Sequence, residues 1–178
     1  MKTVIKDYNS KIWFVVAFEE EFISNKHNVL YTGAGKINAA MATQWLIDNF
    51  DIKEIINVGT AGGNPNKVEK SKIYQIDKVI DRDWKTPNVI LPEISVNNIK
   101  LGLESKSCYT GDSFVTDWND NFEVVDMEAY AIAKVCQNEE NNIPFGCYKY
   151  ISDTGSDEEW ENSLKHCNEA LNEMFKEI

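Results

Sequence analysis

The stretch Val124–Cys136, VVDMEAYAIAKVC, combines a short apolar run, two carboxylates on either side of a methionine, and an amphipathic pattern. The apolar run predicts the end of a buried strand, and the pattern after it predicts a helix. One helix face is predicted to contain Met127, Tyr130, Ala131 and Val135. Asp126 and Glu128 would lie in the first helical turn, where unpaired backbone N–H groups favour negative charge. Two interpretations stay open for Glu128: an acidic cap on an ordinary core helix, or a ligand for hydroxyl groups in a pocket.

Outward from this stretch, apolar runs alternate with helical patterns. Strands are predicted at Ile12–Phe18, Asn28–Tyr31, Glu54–Val58, Ile73–Ile80 and Phe145–Ile151, with possible strands at Ile94–Leu101 and Ser107–Thr110. Residues 1–10 are polar and are expected to fray, and residues 81–92 are predicted to be short and irregular. The alternation predicts an α/β fold in a single domain, residues 1–178, around a mostly parallel sheet with right-handed crossovers.

Two further helices have apolar faces that can be predicted from the spacing of their side chains. The first helix is predicted from about Lys36 to Phe50, with an apolar face of Ile37, Ala40, Met41 and Trp45. The C-terminal helix is predicted to have a face of Trp160, Leu164, Cys167, Leu171, Met174 and Ile178.

The composition restricts the classes of partner and the compartment. The chain has 178 residues, 43% of them apolar, and a formal charge of −11, which argues against nucleic acid or an anionic membrane surface as a partner. Its single arginine, Arg82, argues against a site that grips phosphate with several guanidinium groups. No long apolar run and no leader segment is apparent, so we expect a cytoplasmic protein without a membrane span.

The cysteines and histidines predict neither disulfides nor a metal centre. The four cysteines form no CxxC pair, and the two histidines belong to no metal-ligand pattern. We therefore expect buried, reduced thiols, no metal and no cofactor.

Polar clusters follow several predicted strands and should therefore lie on one rim of the sheet. The clusters are Glu19–Glu21, Gly59–Gly63, Gly111–Val115 with Asp126–Glu128, and Ser152–Asp153. Converging carboxylates, glycine-lined space and an aromatic side chain suit hydrolysis of a glycosidic bond, which needs an acid for the leaving group and a base for water. The spacing of Gly33–Lys36 does not fit a P-loop.

Five motifs occur in a fixed order along the chain. They are GAGKINAA at 33–40, NVGTAGG at 57–63, TGDSF at 110–114, VDMEA at 125–129 and ISD at 151–153. Together they resemble the motifs of the nucleoside phosphorylase superfamily, and most closely those of its hydrolytic branch, the 5'-methylthioadenosine/S-adenosylhomocysteine nucleosidases. The resemblance runs from about Ile12 to the C-terminus. It implies a three-layer α/β/α fold with a central mixed, mostly parallel twisted sheet, a homodimer, and hydrolysis of the N-glycosidic bond of an adenine nucleoside in methionine salvage.

The resemblance also implies roles for individual residues. Asp153 matches the acid that protonates purine N7, and Ser152 matches the residue that orients it. Glu21 matches the base that activates water, although Glu20 is an alternative because the register at a strand end is uncertain. Glu128 matches a ligand for the ribose hydroxyls. The other implied binding positions are Met127 at the ribose, Phe114 and Val115 at the purine, Thr60, Ala61 and Gly62 beneath the sugar, and Asp126 and Phe18.

Departures from the family pattern leave part of the function open. Asn57 stands where phosphorylases usually carry arginine, so water fits better than phosphate as the nucleophile. A phosphate-dependent purine nucleoside phosphorylase and a nucleoside-binding protein without turnover remain the alternatives. The chain is shorter than usual at residues 81–92, and Phe18 replaces a methionine, so the 5' substituent is not fixed. Trp160 either closes the 5' side of the pocket or packs in the core.

Overall fold

The computed structural model describes residues 1–85, 90–97, 99, 101–118, 120–138 and 140–178. The strands are β1 (Lys2–Val4), β2 (Ile12–Val16), β3 (Asn28–Tyr31), β4 (Glu54–Gly63), β5 (Ile73–Asp81), β6 (Glu93–Ser95), β7 (Ser105–Thr110), β8 (Val124–Asp126) and β9 (Phe145–Asp153). The helices are α1 (Lys36–Asn49), α2 (Ala129–Cys136) and α3 (Asp157–Met174), and a 3₁₀ turn covers Glu19–Glu21. A sheet combined with helices confirms the predicted α/β class.

Several boundaries differ from the prediction. The glycine cluster Gly59–Gly63 continues β4 instead of closing it, and β9 continues through Asp153. Residues 1–10 were expected to fray, but β1 pairs antiparallel with β3. That pairing brings Val4 against buried apolar side chains, which stabilises a segment that its polar composition disfavours.

Two predictions fall partly outside the described residues. The predicted strand Ile94–Leu101 includes residues 98 and 100, and the described part has strand β6 only at Glu93–Ser95. The segment predicted as irregular, residues 81–92, includes residues 86–89, which also lie outside the described part.

The sheet follows the order β1-β3-β2-β4-β8-β7-β5-β6, and β9 pairs with both β4 and β5. Strands β4, β8, β7, β5 and β9 therefore close on themselves as a ring. Five of the pairings among the described strands are parallel and four are antiparallel. The ring was not predicted, because the pairing of β9 with two distant strands leaves no local pattern in the sequence.

Side chains of the sheet pack against helices on both faces. Along β2, Trp13 and Val15 join the cluster that includes residues of α1 and α2, whereas Phe14 and Val16 join the cluster that includes α3. The strict alternation follows from the pleat of the strand. A strand covered on both faces is apolar at every position, as the sequence predicted for this run.

The predicted apolar face of α1 was wrong. The helix buries Ala39, Ala42, Thr43 and Leu46. In contrast, Ile37 is 72% exposed and Met41 is 69% exposed. Small residues let α1 pack closely against α2, so the bulky side chains of the same helix point away from the core.

The predicted face of α2 was wrong except at Ala131, which is buried. Its buried residues are Ala129, Ala131, Ile132, Ala133 and Cys136, whereas Met127, Tyr130 and Val135 are only half-buried. The prediction weighted large side chains, but the close approach of α1 and the sheet favours alanine. In α3, Cys167 and Leu171 are buried as predicted, and Trp160 is half-buried. Within the described chain, no helix is long and apolar enough to cross a membrane.

Candidate active site

A cavity of about 260 Å³ lies beside the carboxyl ends of β4, β8 and β9. All of the site residues predicted from the sequence line it: Phe18, Glu21, Thr60, Ala61, Gly62, Phe114, Val115, Asp126, Met127, Glu128, Ser152 and Asp153. The sequence prediction did not name five lining residues as site residues: Ala17, Ala34, Ser113, Val125 and Asp157. Arg82 and Trp160, considered above for other reasons, also line the cavity. The structure thus brings the predicted residues together, and the role of each stays a prediction.

Glu21 is buried at the cavity wall and is held through both carboxylate oxygens. Oε1 accepts hydrogen bonds from the backbone N–H and the hydroxyl of Thr60, and Oε2 accepts one from the N–H of Phe18 at 3.0 Å. Gly59 makes this position possible, since a Cβ there would lie 3.1 Å from Oε2. The competing residue Glu20 is exposed and does not line the cavity, so the geometry favours Glu21 as the base.

Asp153 ends β9 and reaches the cavity with Ser152 beside it. Asp153 Oδ1 accepts a hydrogen bond from the N–H of Gly155 at 2.9 Å. Ser152 Oγ lies 2.7 Å from Asp153 Oδ2 and 3.1 Å from the carbonyl oxygen of Ala61. The hydroxyl proton of Ser152 can be donated to either acceptor, and the close contact with Asp153 fixes the orientation of its carboxyl group. This arrangement can hold an acid ready to give a proton.

Asp126 is fully engaged in a buried network. Its Oδ1 accepts from the hydroxyl of Thr110 at 2.6 Å, and its Oδ2 accepts from the N–H of Ala129 at 2.8 Å and pairs with Lys149 Nζ at 2.9 Å. Burial acts to raise the pKa of Asp126, but Lys149 and the hydrogen bonds outweigh it, so the pKa is lowered. These contacts hold Asp126 in place at the cavity wall, and its predicted role in binding stays a prediction.

Glu128 stands at the N-cap position of α2, and its Oε1 accepts from the N–H of Gly35 at 2.8 Å. Burial, followed by the charge of Asp126, raises the pKa of Glu128 to about 8. Burial and the neighbouring charge therefore favour the neutral carboxyl over the carboxylate. Donors such as sugar hydroxyls would favour its ionised form, since hydrogen bonds to a carboxylate stabilise the charge.

Aromatic side chains form the more open walls of the cavity. The rings of Phe18 and Trp160 meet nearly edge to face, with centroids 5.9 Å apart. The indole N–H of Trp160 donates to Thr60 Oγ at 2.9 Å, so this residue does more than pack in the core. Phe114 is 46% exposed, which leaves its ring free to stack on a planar ligand.

Arg82 lines the cavity, a position that was not predicted from the sequence. Its guanidinium donates to the hydroxyl of Ser113 at 3.0 Å, to the carbonyl oxygen of Gly111 at 3.1 Å, and to the carbonyl oxygen of Ser113. The group therefore fixes the loop that carries Phe114. Position alone in the sequence gives no signal for this role, since Arg82 and Ser113 are 31 residues apart.

No group of three or more His, Cys, Asp or Glu side chains within the described residues is placed to hold a metal ion. The lining instead combines four buried carboxylates with hydroxyl, backbone and aromatic groups. Such an arrangement can move protons at both ends of a polar bond while an aromatic ring holds a flat ligand.

Comparisons with known proteins show what the chain is similar to. A family model described as the phosphorylase superfamily matches residues 19–97. The 5'-methylthioadenosine/S-adenosylhomocysteine nucleosidase of Bacillus licheniformis is 25% identical over 217 residues, covering 100% of this chain and 93% of that protein. The protein of the same name from Bacillus cereus (strain B4264) is 29% identical over 162 residues, covering 73% of this chain and 69% of the other.

Solved structures share the fold. The nucleosidase of this name from Helicobacter pylori, solved with butyl-thio-DADMe-Immucillin-A, matches with a TM-score of 0.78 and 17% identity, covering 97% of this chain and 100% of the other. The MTA/SAH nucleosidase of Streptococcus pneumoniae, solved with 8-aminoadenine, also has a TM-score of 0.78, with 19% identity over 93% of this chain and 96% of the other.

Proposed function

We propose that the chain belongs to the phosphorylase superfamily, whose family model matches residues 19–97, and that it is a purine nucleosidase. The proposed reaction is hydrolysis of the N-glycosidic bond of an adenine nucleoside, with 5'-methylthioadenosine or S-adenosylhomocysteine as the substrate. The observation that carries the proposal is that Glu21 and Asp153, which come from distant parts of the chain, line one cavity with Glu128. An acid, a base and a sugar ligand are the groups that this reaction needs.

In the proposed mechanism, Asp153 gives a proton to N7 of the purine, so that the base leaves as a neutral molecule. The bond from the base nitrogen to C1' of the ribose breaks with its electrons going to the base, and the sugar develops oxocarbenium character. Glu21 takes a proton from the water that attacks C1'. Glu128 and Met127 hold the ribose, and Phe114 stacks on the purine.

Two features support water over phosphate as the nucleophile. The guanidinium of Arg82 already donates to the loop at Gly111 and Ser113, so it is not arranged as an anion clamp. Asn57, at the position where phosphorylases usually carry arginine, is buried and donates to the carbonyl oxygen of Val15 at 2.9 Å.

An assay of free base tests the proposal. The protein is incubated with methylthioadenosine, S-adenosylhomocysteine, adenosine and inosine, each with and without phosphate, and the released base is quantified. We expect adenine from the thio-nucleosides without phosphate. Strict dependence on phosphate would identify a phosphorylase, and tight binding without cleavage would identify a nucleoside-binding protein.

We further propose a homodimer that uses the outer face of α1. Ile37 and Met41 are largely exposed and Trp45 is 37% exposed, and together they form an apolar row on one helix. Such a row is typical of an interface with another protein surface. Light scattering should give the mass of two chains for the wild type and of one chain for Met41→Glu. A monomeric wild type would exclude this assembly.

The remaining expectations follow from the same proposal. We infer that residues 1–178 form a single domain with the three-layer α/β/α arrangement of the family, in which α1 and α2 cover one face of a mixed sheet and α3 the other. All four cysteines are buried, which suits the reducing cytoplasm. Release of adenine from thio-nucleosides would place the protein in methionine salvage.

A further inference from the structure

A chain of hydrogen bonds connects the aromatic wall of the cavity to Glu21. Trp160, on α3, donates its indole N–H to Thr60 Oγ at 2.9 Å, and the Thr60 hydroxyl donates to Glu21 Oε1. The two ends of the chain, Trp160 and Glu21, are brought together only by the fold. The chain therefore connects a wall residue to the residue proposed as the base.

The direction of this chain is fixed by the chemistry of its members. An indole nitrogen can only donate, and a carboxylate oxygen can only accept. The hydroxyl of Thr60 has one proton, so it must accept from Trp160 and donate to Glu21. With its hydroxyl proton fixed on Glu21, Thr60 is not available to donate to an attacking water.

The second carboxylate oxygen of Glu21 is held by Phe18, whose ring packs against Trp160. Glu21 Oε2 accepts from the backbone N–H of Phe18 at 3.0 Å, and the ring of Phe18 packs nearly edge to face on Trp160. Both carboxylate oxygens are thus positioned by residues that contact one another. Rotation of the carboxylate would break a hydrogen bond at each end.

We propose that Trp160 is a positioning residue for Glu21, acting through the hydroxyl of Thr60. Donation from the indole keeps the hydroxyl pointing at Glu21 and strengthens it as a donor, because linked hydrogen bonds polarise one another. The carboxylate then keeps one orientation toward the cavity, where the water is activated. This inference rests on the proposed hydrolytic function, and it adds to the packing role of Trp160 a role in the chemical step.

Trp160→Phe tests the proposal, because phenylalanine keeps an aromatic side chain in the wall and removes the N–H donor. We expect kcat for adenine release to fall about tenfold, because the carboxylate of Glu21 loses its fixed orientation. KM should change by less than about twofold, because an aromatic side chain still forms the cavity wall. The matched control is Trp118→Phe, which also removes an indole hydrogen bond, here to the carbonyl oxygen of Thr154 at 2.7 Å, in a residue that does not line the cavity. It should leave kcat near the wild-type value.

A double-mutant cycle and a spectroscopic measurement separate positioning from packing. In a Thr60→Val background, Trp160→Phe should have no further effect on kcat, since the connection is already broken. In the ¹H–¹⁵N spectrum of the protein without ligand, Glu21→Gln should move the indole resonance of Trp160 upfield, because a neutral acceptor polarises Thr60 less. The indole resonance of Trp118 should stay in place.

The outcomes distinguish failure of the proposed function from failure of the positioning role of Trp160. A wild type that releases no purine base overturns the proposed function. An active wild type in which Trp160→Phe behaves like Trp118→Phe, or in which the Trp160 resonance ignores Glu21→Gln, overturns only the positioning role.

Discussion

Two regions of the cavity wall supply its four buried carboxylates, and these regions hold them differently. Glu21 and Asp153 are 3% and 2% exposed, and they accept hydrogen bonds from neutral N–H and hydroxyl groups. Asp126 and Glu128 are each 6% exposed and lie beside the buried ammonium group of Lys149. We call these the acid–base region and the charged floor.

Burial alone does not set the role of a carboxylate in this cavity. In the charged floor, Lys149 and several donors fix Asp126 as an anion, and that anion in turn helps to keep a proton on Glu128. In the acid–base region, no ion pair of Glu21 or Asp153 occurs among the described residues. We therefore expect changes in the acid–base region to affect the rate. Changes in the charged floor should affect stability and its pH dependence, in addition to the ribose binding proposed for Glu128.

The largest expected effect is on the rate of Asp153→Asn. Asparagine has nearly the same shape and can still accept from Gly155, but it has no acidic proton to give to the purine. We expect base release to fall by roughly 10²–10⁴ with an unchanged circular dichroism spectrum. The control is Glu158→Gln, which changes an exposed carboxylate in the first turn of α3. A near wild-type rate for Asp153→Asn would remove this residue as the acid.

Glu21→Gln should reduce the rate by a similar factor of roughly 10²–10³, since the amide cannot accept a proton from water. Its neighbour Glu20 is exposed, so Glu20→Gln should leave the rate within about twofold of the wild type. Steady-state kinetics of the two variants decide between the two glutamates. If Glu20→Gln reduces the rate and Glu21→Gln does not, the base is Glu20 and Glu21 does not belong to the acid–base region.

Lys149→Met should act on stability. The substitution leaves the buried carboxylate of Asp126 without its counter-ion, and removal of one partner of a buried ion pair destabilises a protein by about 3–5 kcal/mol. Urea unfolding followed by circular dichroism measures the loss. The double variant Lys149→Met with Asp126→Asn should recover much of the free energy of unfolding, because neither charge is left buried. Equal stability of the single and double variants would contradict the charged floor.

The smallest expected effect is a pH dependence of stability from Glu128. Its pKa is raised from 4.5 to about 8 in the folded protein. Between these values the folded chain binds more protons than the unfolded chain, so this group's contribution to the free energy of unfolding falls as the pH rises. The slope is at most about 1.4 kcal/mol per pH unit.

Glu128→Gln removes this titration, so the slope between about pH 5 and about pH 8 should become flatter than in the wild type. Urea unfolding at several pH values compares the two slopes. Identical slopes would mean that Glu128 is ionised in the folded protein over this range and that the charged floor does not retain a proton.

The sequence predicted much of the local structure. A continuous apolar run predicted β2, because a strand covered on both faces disfavours polar side chains. The family resemblance predicted twelve of the residues that line the cavity, including residues as distant as Glu21 and Asp153. The apolar faces of α1 and α2 could not be predicted, because the size of a side chain does not show how closely a neighbouring helix will approach.

The sequence alone identifies the groups at the strand ends: carboxylates, glycines and an aromatic ring, in an order that resembles that of a known superfamily. Only the tertiary structure decided how they are used. The ring of β4, β8, β7, β5 and β9, the engagement of Asp126 by Lys149, and the chain from Trp160 through Thr60 to Glu21 all depend on contacts between distant residues. Charge and hydrogen bonding act through distances in space, and the distances in this cavity are set by long-range strand pairing, which has no local signature in the chain.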